Sequence, residues 1–170
     1  MRTLIVLSAL PGSGKSTWSE QYRLTHKHVK IVSSDAIRKE LTGQYQDLSH
    51  EQEVWEIYFN RINEIFDKHD DVTVIADSTN ITDNFRLIPL EKCPNYDRCV
   101  LVLLKKKLDK ILQQNLERSE AKYVPEDAIK SMWKRWQDPS EETKSVFDEV
   151  IEINGWFESP KVKESFHYKD

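Results

Sequence analysis

The sequence predicts an α/β fold, a three-layer sandwich in which helices cover a central, mainly parallel five-stranded sheet. Short apolar segments alternate with segments of helical periodicity along the 170-residue chain, an order typical of parallel sheets. Residues 98–104 are almost continuously apolar, as expected for a strand that is buried on both faces. A glycine-rich loop follows the first apolar segment directly, which indicates a tight connection from strand to helix.

The predicted elements follow from periodicity and from capping residues. Strands are predicted at 3–9, 29–33, 72–77, 98–104 and 150–153. Helices are predicted at 17–24, 36–41, 82–90 and 108–116, with a further helix beginning near Pro125. A longer helix is predicted to begin at Ser49, which forms a Ser-x-x-Gln capping box with Gln52. Its aromatic and aliphatic stripe is expected to pack in the core and consists of Trp55, Tyr58, Phe59, Ile62 and Phe66.

Length and composition predict one domain over residues 1–170, with a loosely held tail at 158–170. Cys93 and Cys99 are the two cysteines, and their spacing is not that of a zinc or redox site. We therefore expect reduced thiols and a cytoplasmic protein. No segment approaches the roughly 18–20 apolar residues of a membrane helix, so no membrane partner is expected. The oligomeric state does not follow from the sequence.

The loop after the first predicted strand has the composition of a phosphate-binding P-loop. It contains, in order, Pro11, Gly12, Ser13, Gly14, Lys15, Ser16 and Thr17. The glycines let successive N–H groups face an anion, and the following helix adds its positive dipole end. Lys15 could then reach the outer phosphates and the Ser16 hydroxyl could hold Mg²⁺. Ala9 replaces the first glycine of the motif, and the plainer alternative is an ordinary turn. The sequence predicts binding of ATP or another nucleoside triphosphate in a P-loop NTPase fold.

Two aspartates follow predicted strands and are expected to meet the P-loop at one edge of the sheet. Asp77 ends a hydrophobic strand, where a carboxylate can organise Mg²⁺ directly or through water. Asp35 follows the second strand, where a carboxylate can take the proton of an acceptor hydroxyl. Each aspartate has an alternative role as the N-cap of the helix that follows.

Three basic residues could bind phosphates around this edge. Arg38 lies three residues after Asp35 on the same helical face and could clamp an acceptor, or it could pair with Glu40 or another acid. Arg118 and Lys122 lie in a polar segment within a predicted helical lid at about 114–138, where they could close over the phosphates. The plainer alternative is that Arg118 and Lys122 are ordinary surface cations. Residues 1–43 and 104–135, which include the P-loop and the lid, each carry a net charge of +4.

The pattern resembles the kinase domain of phage-type polynucleotide 5′-kinases over about residues 3–137. The motifs that carry the resemblance are Pro11 to Trp18, Asp35-x-x-Arg38, Asp77-Ser78-Thr79-Asn80, Arg118 through Val124-Pro125, and Ile129-x-Ser131-Met132. The resemblance implies that Lys15 and Ser16 bind the donor phosphates and Mg²⁺. It also implies that Asp35 is the general base, that Arg38 binds the acceptor phosphate, and that Arg118 and, less directly, Lys122 act from the lid.

The expected function is ATP- and Mg²⁺-dependent phosphoryl transfer to a hydroxyl, foremost the 5′-OH end of a nucleic acid. A P-loop kinase of a small metabolite, nucleotide or sugar is the first alternative, because a P-loop with a carboxylate after the second strand serves such enzymes too. The second alternative is a nucleotide-binding regulator or NTPase without a phosphoryl acceptor.

Overall fold

Strands and helices alternate along residues 1–154, which are the residues that the computed structural model describes. The strands are β1 (Arg2–Ser8), β2 (Val29–Ser33), β3 (Val72–Asp77), β4 (Arg98–Lys105) and β5 (Glu149–Asn154). The helices are α1 (Lys15–Thr25), α2 (Ser34–Thr42), α3 (Glu51–Lys68), α4 (Asp83–Lys92), α5 (Leu108–Leu116), α6 (Glu126–Arg135) and α7 (Glu141–Val146). All five predicted strands are present, and α7 is an element that the sequence did not predict.

The five strands form one sheet in the order β2-β3-β1-β4-β5, and every neighbouring pair is parallel. At the carboxyl edge, Ser33 of β2 pairs with Asp77 of β3, while Ser8 of β1 pairs with Leu103 of β4. The segments after β1, β2 and β3 therefore leave the same edge of the sheet side by side, as the sequence predicted.

Two hydrophobic cores, one on each face of the sheet, show that the fold has three layers. Alternate residues of β1 point to opposite faces, so Leu4 and Val6 enter one core while Ile5 and Leu7 enter the other. The first core packs against α3, and its stripe is buried or half-buried as predicted. The second core packs against α1 through Trp18. The predicted three-layer α/β sandwich is confirmed.

A third, smaller core lies under the predicted lid. It joins α5 and α6 to the start of the P-loop segment after β1 and to the turn after β3, and it contains Leu10, Ile81, Ile111, Val124 and Ile129. Ile111 and Ile129 are almost completely buried, so both lid helices pack firmly onto the sheet edge. Arg118 and Lys122 lie in the turn between these two helices.

The predicted capping box of the long helix is wrong. His50, not Ser49, occupies the N-cap of α3, and the Ser49 hydroxyl instead donates to the Asp47 carboxylate at 2.5 Å. Short polar side chains often bond locally in this way and so compete with a helix cap. Cys93 and Cys99 are buried free thiols, as expected. Within residues 1–154 no helix is long and apolar enough to cross a membrane. The predicted tail at 158–170 lies outside the described residues.

Candidate active site

The P-loop owes its shape to two glycines in the left-handed region. Gly12 has φ +79° and Gly14 has φ +93°, and α1 begins directly after Gly14. A Cβ atom on Gly12 would also lie 3.1 Å from the Ile111 carbonyl oxygen of α5. Both the positive φ and this close approach therefore require glycine at position 12. Ala9 is not among the residues with positive φ, and its N–H donates to the Thr79 carbonyl at 2.8 Å. Alanine therefore replaces the first glycine of the motif without strain.

The start of α1 is arranged to receive an anion. No side chain caps this helix and its first turn contains no acid, so its first N–H groups keep their positive dipole end. Lys15 and Thr17 are half-buried and Ser16 is exposed. The buried hydroxyl of Ser13 has no hydrogen-bond partner within residues 1–154.

A cleft of about 220 Å³ opens beside the start of α1 and brings five of the predicted site residues together, of which Ser16 is the only one from the P-loop. Its walls come from α1, the end of β2, the start of α2, the segment between α2 and α3, the end of β3 and the lid turn. The predicted site residues that line it are Ser16, Asp35, Asp77, Arg118 and Lys122. Arg38 is not among the residues that line this cleft.

The alternative N-cap roles of the two aspartates are wrong. The N-cap of α2 is Ser33, whose hydroxyl accepts from the Ala36 N–H at 3.2 Å. The N-cap of α4 is Thr82, five residues after Asp77. Asp35 lies in the first turn of α2 with 56% of its side chain exposed, and Asp77 is almost buried at the end of β3. Both residues line the cleft.

Arg38 lies between two carboxylates. Its Nη1 donates to Asp35 Oδ1 at 2.6 Å, while Nε and Nη2 donate to the two oxygens of Glu51 at 2.8 and 2.7 Å. The alternative of an ion pair with Glu40 or another acid holds for other acids, Asp35 and Glu51, while Glu40 pairs with Arg61. Burial alone would lower the pKa of Arg38, but hydrogen bonding to Glu51 and the charges of both carboxylates outweigh it and raise the pKa. The guanidinium therefore stays charged and fixes one oxygen of Asp35.

Asn115 closes the lid turn in a way that the sequence did not reveal. Its buried amide donates to the Val124 carbonyl at 2.7 Å and accepts from the Val124 N–H at 3.0 Å. This pair of bonds joins the end of α5 to the residue just before Pro125. The intervening turn is therefore held as a loop whose cations line the cleft.

Arg86 forms a buried anchor between the P-loop strand and the lid, and sequence reasoning missed it. Its side chain is completely buried. Arginine is almost never buried unless its charge is paired, so its partners matter. Nε donates to the Ser8 hydroxyl at 2.9 Å and Nη1 to the Asp83 carboxylate at 3.1 Å. The guanidinium also lies 5.0 Å from the ring centroid of Trp136, which follows α6. A buried charge of this kind was not foreseeable from spacing alone.

A second, larger cavity of about 530 Å³ lies on the lid side of the P-loop. Its lining combines aromatic rings with the polar start of the loop and includes Ser13, Lys105, Ile111, Trp133 and Trp136. Trp133 is 49% exposed, a large share for a tryptophan ring. Both tryptophans therefore border a cavity beside the phosphate loop.

The residues at the cleft fit Mg²⁺. Ser16 and Asp77 offer oxygen atoms, which are the ligands that this ion prefers, and both line the same cleft. Residues 1–154 contain no group of three or more histidine, cysteine or acidic side chains that could hold a metal by themselves. This agrees with the usual binding of Mg²⁺ by one or two protein groups together with substrate phosphates and water.

A family model described as an AAA domain matches residues 4–142, which include the P-loop, both aspartates and the lid. The chain belongs to this AAA domain family. Among its relatives, the L-seryl-tRNA(Sec) kinase of Methanococcus maripaludis is 29% identical over 153 residues. That alignment covers 85% of this chain and 56% of the relative, so the chain spans about half the length of the curated relative it matches.

Two solved structures illustrate the range of proteins that share the fold of this AAA domain. A chain in the Pnkp1/Rnl/Hen1 RNA repair complex superposes with a TM-score of 0.68 and 18% identity, over 86% of this chain and 46% of that one. A gluconokinase from Sinorhizobium meliloti superposes with a TM-score of 0.57 and 16% identity, over 97% and 90%. The family and the fold confirm the predicted resemblance to a P-loop kinase.

Proposed function

We propose that this chain is an ATP- and Mg²⁺-dependent phosphotransferase that phosphorylates a hydroxyl group, namely the 5′-OH end of a nucleic acid. The observation that carries the proposal is the position of Asp35. Its exposed carboxylate is held by Arg38 and lines the same cleft as Ser16 and the lid cations. A nucleotide switch needs no such carboxylate opposite its phosphate loop, whereas phosphoryl transfer to a hydroxyl does.

On the donor side, the P-loop N–H groups and the start of α1 bind the β- and γ-phosphates, and Lys15 offsets their charge. The Ser13 hydroxyl is placed for a further hydrogen bond to the nucleotide. Ser16 and Asp77 would hold Mg²⁺, which supplies further charge neutralisation on the phosphates when it is bound. The cavity bordered by Trp133 and Trp136 would accept the nucleoside.

On the acceptor side, Asp35 takes the proton of the attacking hydroxyl and orients that oxygen in line with the γ-phosphate. Arg38 holds one carboxylate oxygen in place, so the other oxygen is left for the acceptor. From the lid, Arg118 and Lys122 offset the charge that develops on the transferring phosphoryl group. Arg38 is buried, does not line the cleft and donates to Asp35 and Glu51, so its role in this proposal is to position Asp35.

The choice of a nucleic-acid acceptor is supported by the names of two similar proteins. One relative is named a kinase of seryl-tRNA, and one structural neighbour belongs to an RNA repair complex. A small-metabolite acceptor is the competing candidate, because a gluconokinase has the same fold over nearly its whole length. The net charge of +4 in residues 104–135 favours a phosphate-bearing acceptor over a neutral sugar.

Incubation with γ-labelled ATP and Mg²⁺ tests the proposal. The acceptor panel contains 5′-OH oligonucleotides of RNA and DNA, mononucleotides, gluconate and simple alcohols, and Asp35→Asn serves as the matched inactive variant. We expect label on the oligonucleotides with the unmodified chain and none with the variant. Label only on small molecules would identify a metabolite kinase, and free phosphate without a labelled acceptor would identify an NTPase.

A further inference from the structure

Tyr45 lies in the segment between α2 and α3 and lines the cleft that contains Asp35 and Ser16. Its ring is partly exposed, and the neighbouring Gln46, which lines the same cleft, is exposed. The catalytic roles proposed above use neither residue. Tyr45 belongs to none of the three hydrophobic cores found within residues 1–154.

Two ammonium groups flank this ring. Lys39 Nζ lies 5.5 Å from the ring centroid and Lys122 Nζ lies 5.8 Å from it. Both distances are close to the outer limit of about 6 Å for a cation–π contact, so both contacts with the ring are weak. The Lys39 ammonium also donates to the Gly43 carbonyl at 2.8 Å, which holds it beside the ring.

This combination matches the chemistry of one nucleotide unit. An aromatic face accepts a nucleobase by stacking, which is sequence-tolerant because every base has a π-face. The amide of Gln46 can donate to and accept from a base edge. The Lys39 ammonium suits the phosphodiester that follows the first nucleoside, whereas Lys122 keeps the role on the transferring phosphoryl group proposed above. A neutral polyol needs none of these charges and is bound more often through many hydrogen bonds.

We infer that Tyr45 is the platform on which the 5′-terminal nucleobase of the acceptor stacks while the 5′-hydroxyl faces Asp35. This inference rests on the function proposed above and names the part of the acceptor that the cleft recognises. Tyr45 then acts as a specificity-determining residue: it binds the acceptor and leaves the donor nucleotide untouched.

The test compares two oligonucleotide acceptors that differ only in their first nucleotide, one complete and one abasic at its 5′ end. Both keep the 5′-OH and every phosphate, so a difference between them reports the base alone. The variants are Tyr45→Ala, Tyr45→Phe and, as a matched control in the same segment, Leu48→Ala. Leu48 is 64% exposed and does not line the cleft.

For Tyr45→Ala we expect an increase of about tenfold or more in KM for the complete acceptor and little change for the abasic one. Tyr45→Phe keeps the ring and should behave like the unmodified chain, as should Leu48→Ala. The KM for ATP should stay unchanged in all three variants, because the platform contacts only the acceptor.

Three outcomes would overturn the inference. Equal losses on both acceptors would show that Tyr45 only joins the lid to the segment between α2 and α3. No loss on either acceptor would show that the base lies elsewhere. If the unmodified chain phosphorylates no oligonucleotide at all, the proposed function fails and the stacking inference falls with it, which the first two outcomes would not imply.

Discussion

The proposed donor side and the proposed acceptor side of the site are built by different means. The donor side is one continuous segment, residues 11–17, whose shape depends on two glycines with positive φ and on the start of α1. The acceptor side is a set of charged side chains, in which Asp35 is held by Arg38 and Arg38 is held by Glu51 of another helix. Backbone geometry determines the donor side, and long-range ion pairs determine the acceptor side.

This difference indicates that specificity for the acceptor depends on the acceptor side and not on the phosphate loop. The backbone of a phosphate loop binds the same triphosphate in any kinase of this fold, so the donor side says little about the acceptor. A carboxylate positioned through two further charges can be shifted by a single substitution on a neighbouring helix. Changes on the donor side should therefore abolish all phosphate chemistry, whereas changes on the acceptor side should separate phosphoryl transfer from nucleotide binding.

The largest effect is expected for Lys15→Met. Loss of the ammonium group removes charge stabilisation of the transferring phosphoryl group, which should lower kcat by about 10²–10³-fold on every acceptor. Hydrolysis of ATP without an acceptor should fall in parallel, because it uses the same loop. Initial rates with saturating ATP measure both reactions.

Lys27→Met is the matched control for this variant, since Lys27 is exposed and does not line the cleft. It should keep the activity of the unmodified chain. Normal turnover by Lys15→Met would show that the loop does not serve phosphoryl transfer.

Asp35→Asn should give the next largest effect and should act on transfer alone. The amide keeps the size of the side chain but cannot take the proton of the acceptor hydroxyl, so transfer should fall by about 10²–10⁴-fold. ATP binding, measured by equilibrium titration, should change little because Asp35 lies outside the P-loop. A variant that keeps full transfer would remove Asp35 from the role of general base.

The donor side could be predicted from the sequence because its information is local. Seven consecutive residues define the loop, and the alternation of strands and helices places Asp35 and Asp77 at the same sheet edge. The stripe of α3 was predicted for the same reason, since helical periodicity is a local property. The error at Ser49 came from a local competitor, the carboxylate of Asp47, which bonds the hydroxyl that would have capped α3.

The supports of the site could not be predicted, because each depends on how segments pack or turn in three dimensions and not on a local sequence pattern. Ser8 and Arg86 are 78 residues apart, and only the packing of α4 against the sheet edge brings them together. Glu51 lies in the first turn of α3, where an acid is favourable next to the helix dipole, so its position alone does not indicate a contact with Arg38. The clamp of Asn115 on Val124 likewise depends on the turn that it closes.

The smallest effect is expected for Glu51→Gln, which tests whether the acceptor side depends on this distant support. The amide keeps the volume of the side chain but weakens two charge-assisted bonds to Arg38, each worth about 1.5–3 kcal/mol in comparable proteins. Arg38 keeps its bond to Asp35, so its orientation should loosen without being lost. We expect transfer to fall by about tenfold, with a higher KM for the acceptor and an unchanged KM for ATP.

Glu53→Gln is the matched control for Glu51→Gln, since Glu53 is an exposed acid in the same first turn of α3. Both variants remove one negative charge from the helix start, so any difference between them reports the contact with Arg38. A purely structural role of Glu51 would lower the midpoint of thermal unfolding and leave both KM values unchanged. A higher acceptor KM in Glu51→Gln alone would instead show that the acceptor side is positioned by a charge 13 residues away from Arg38.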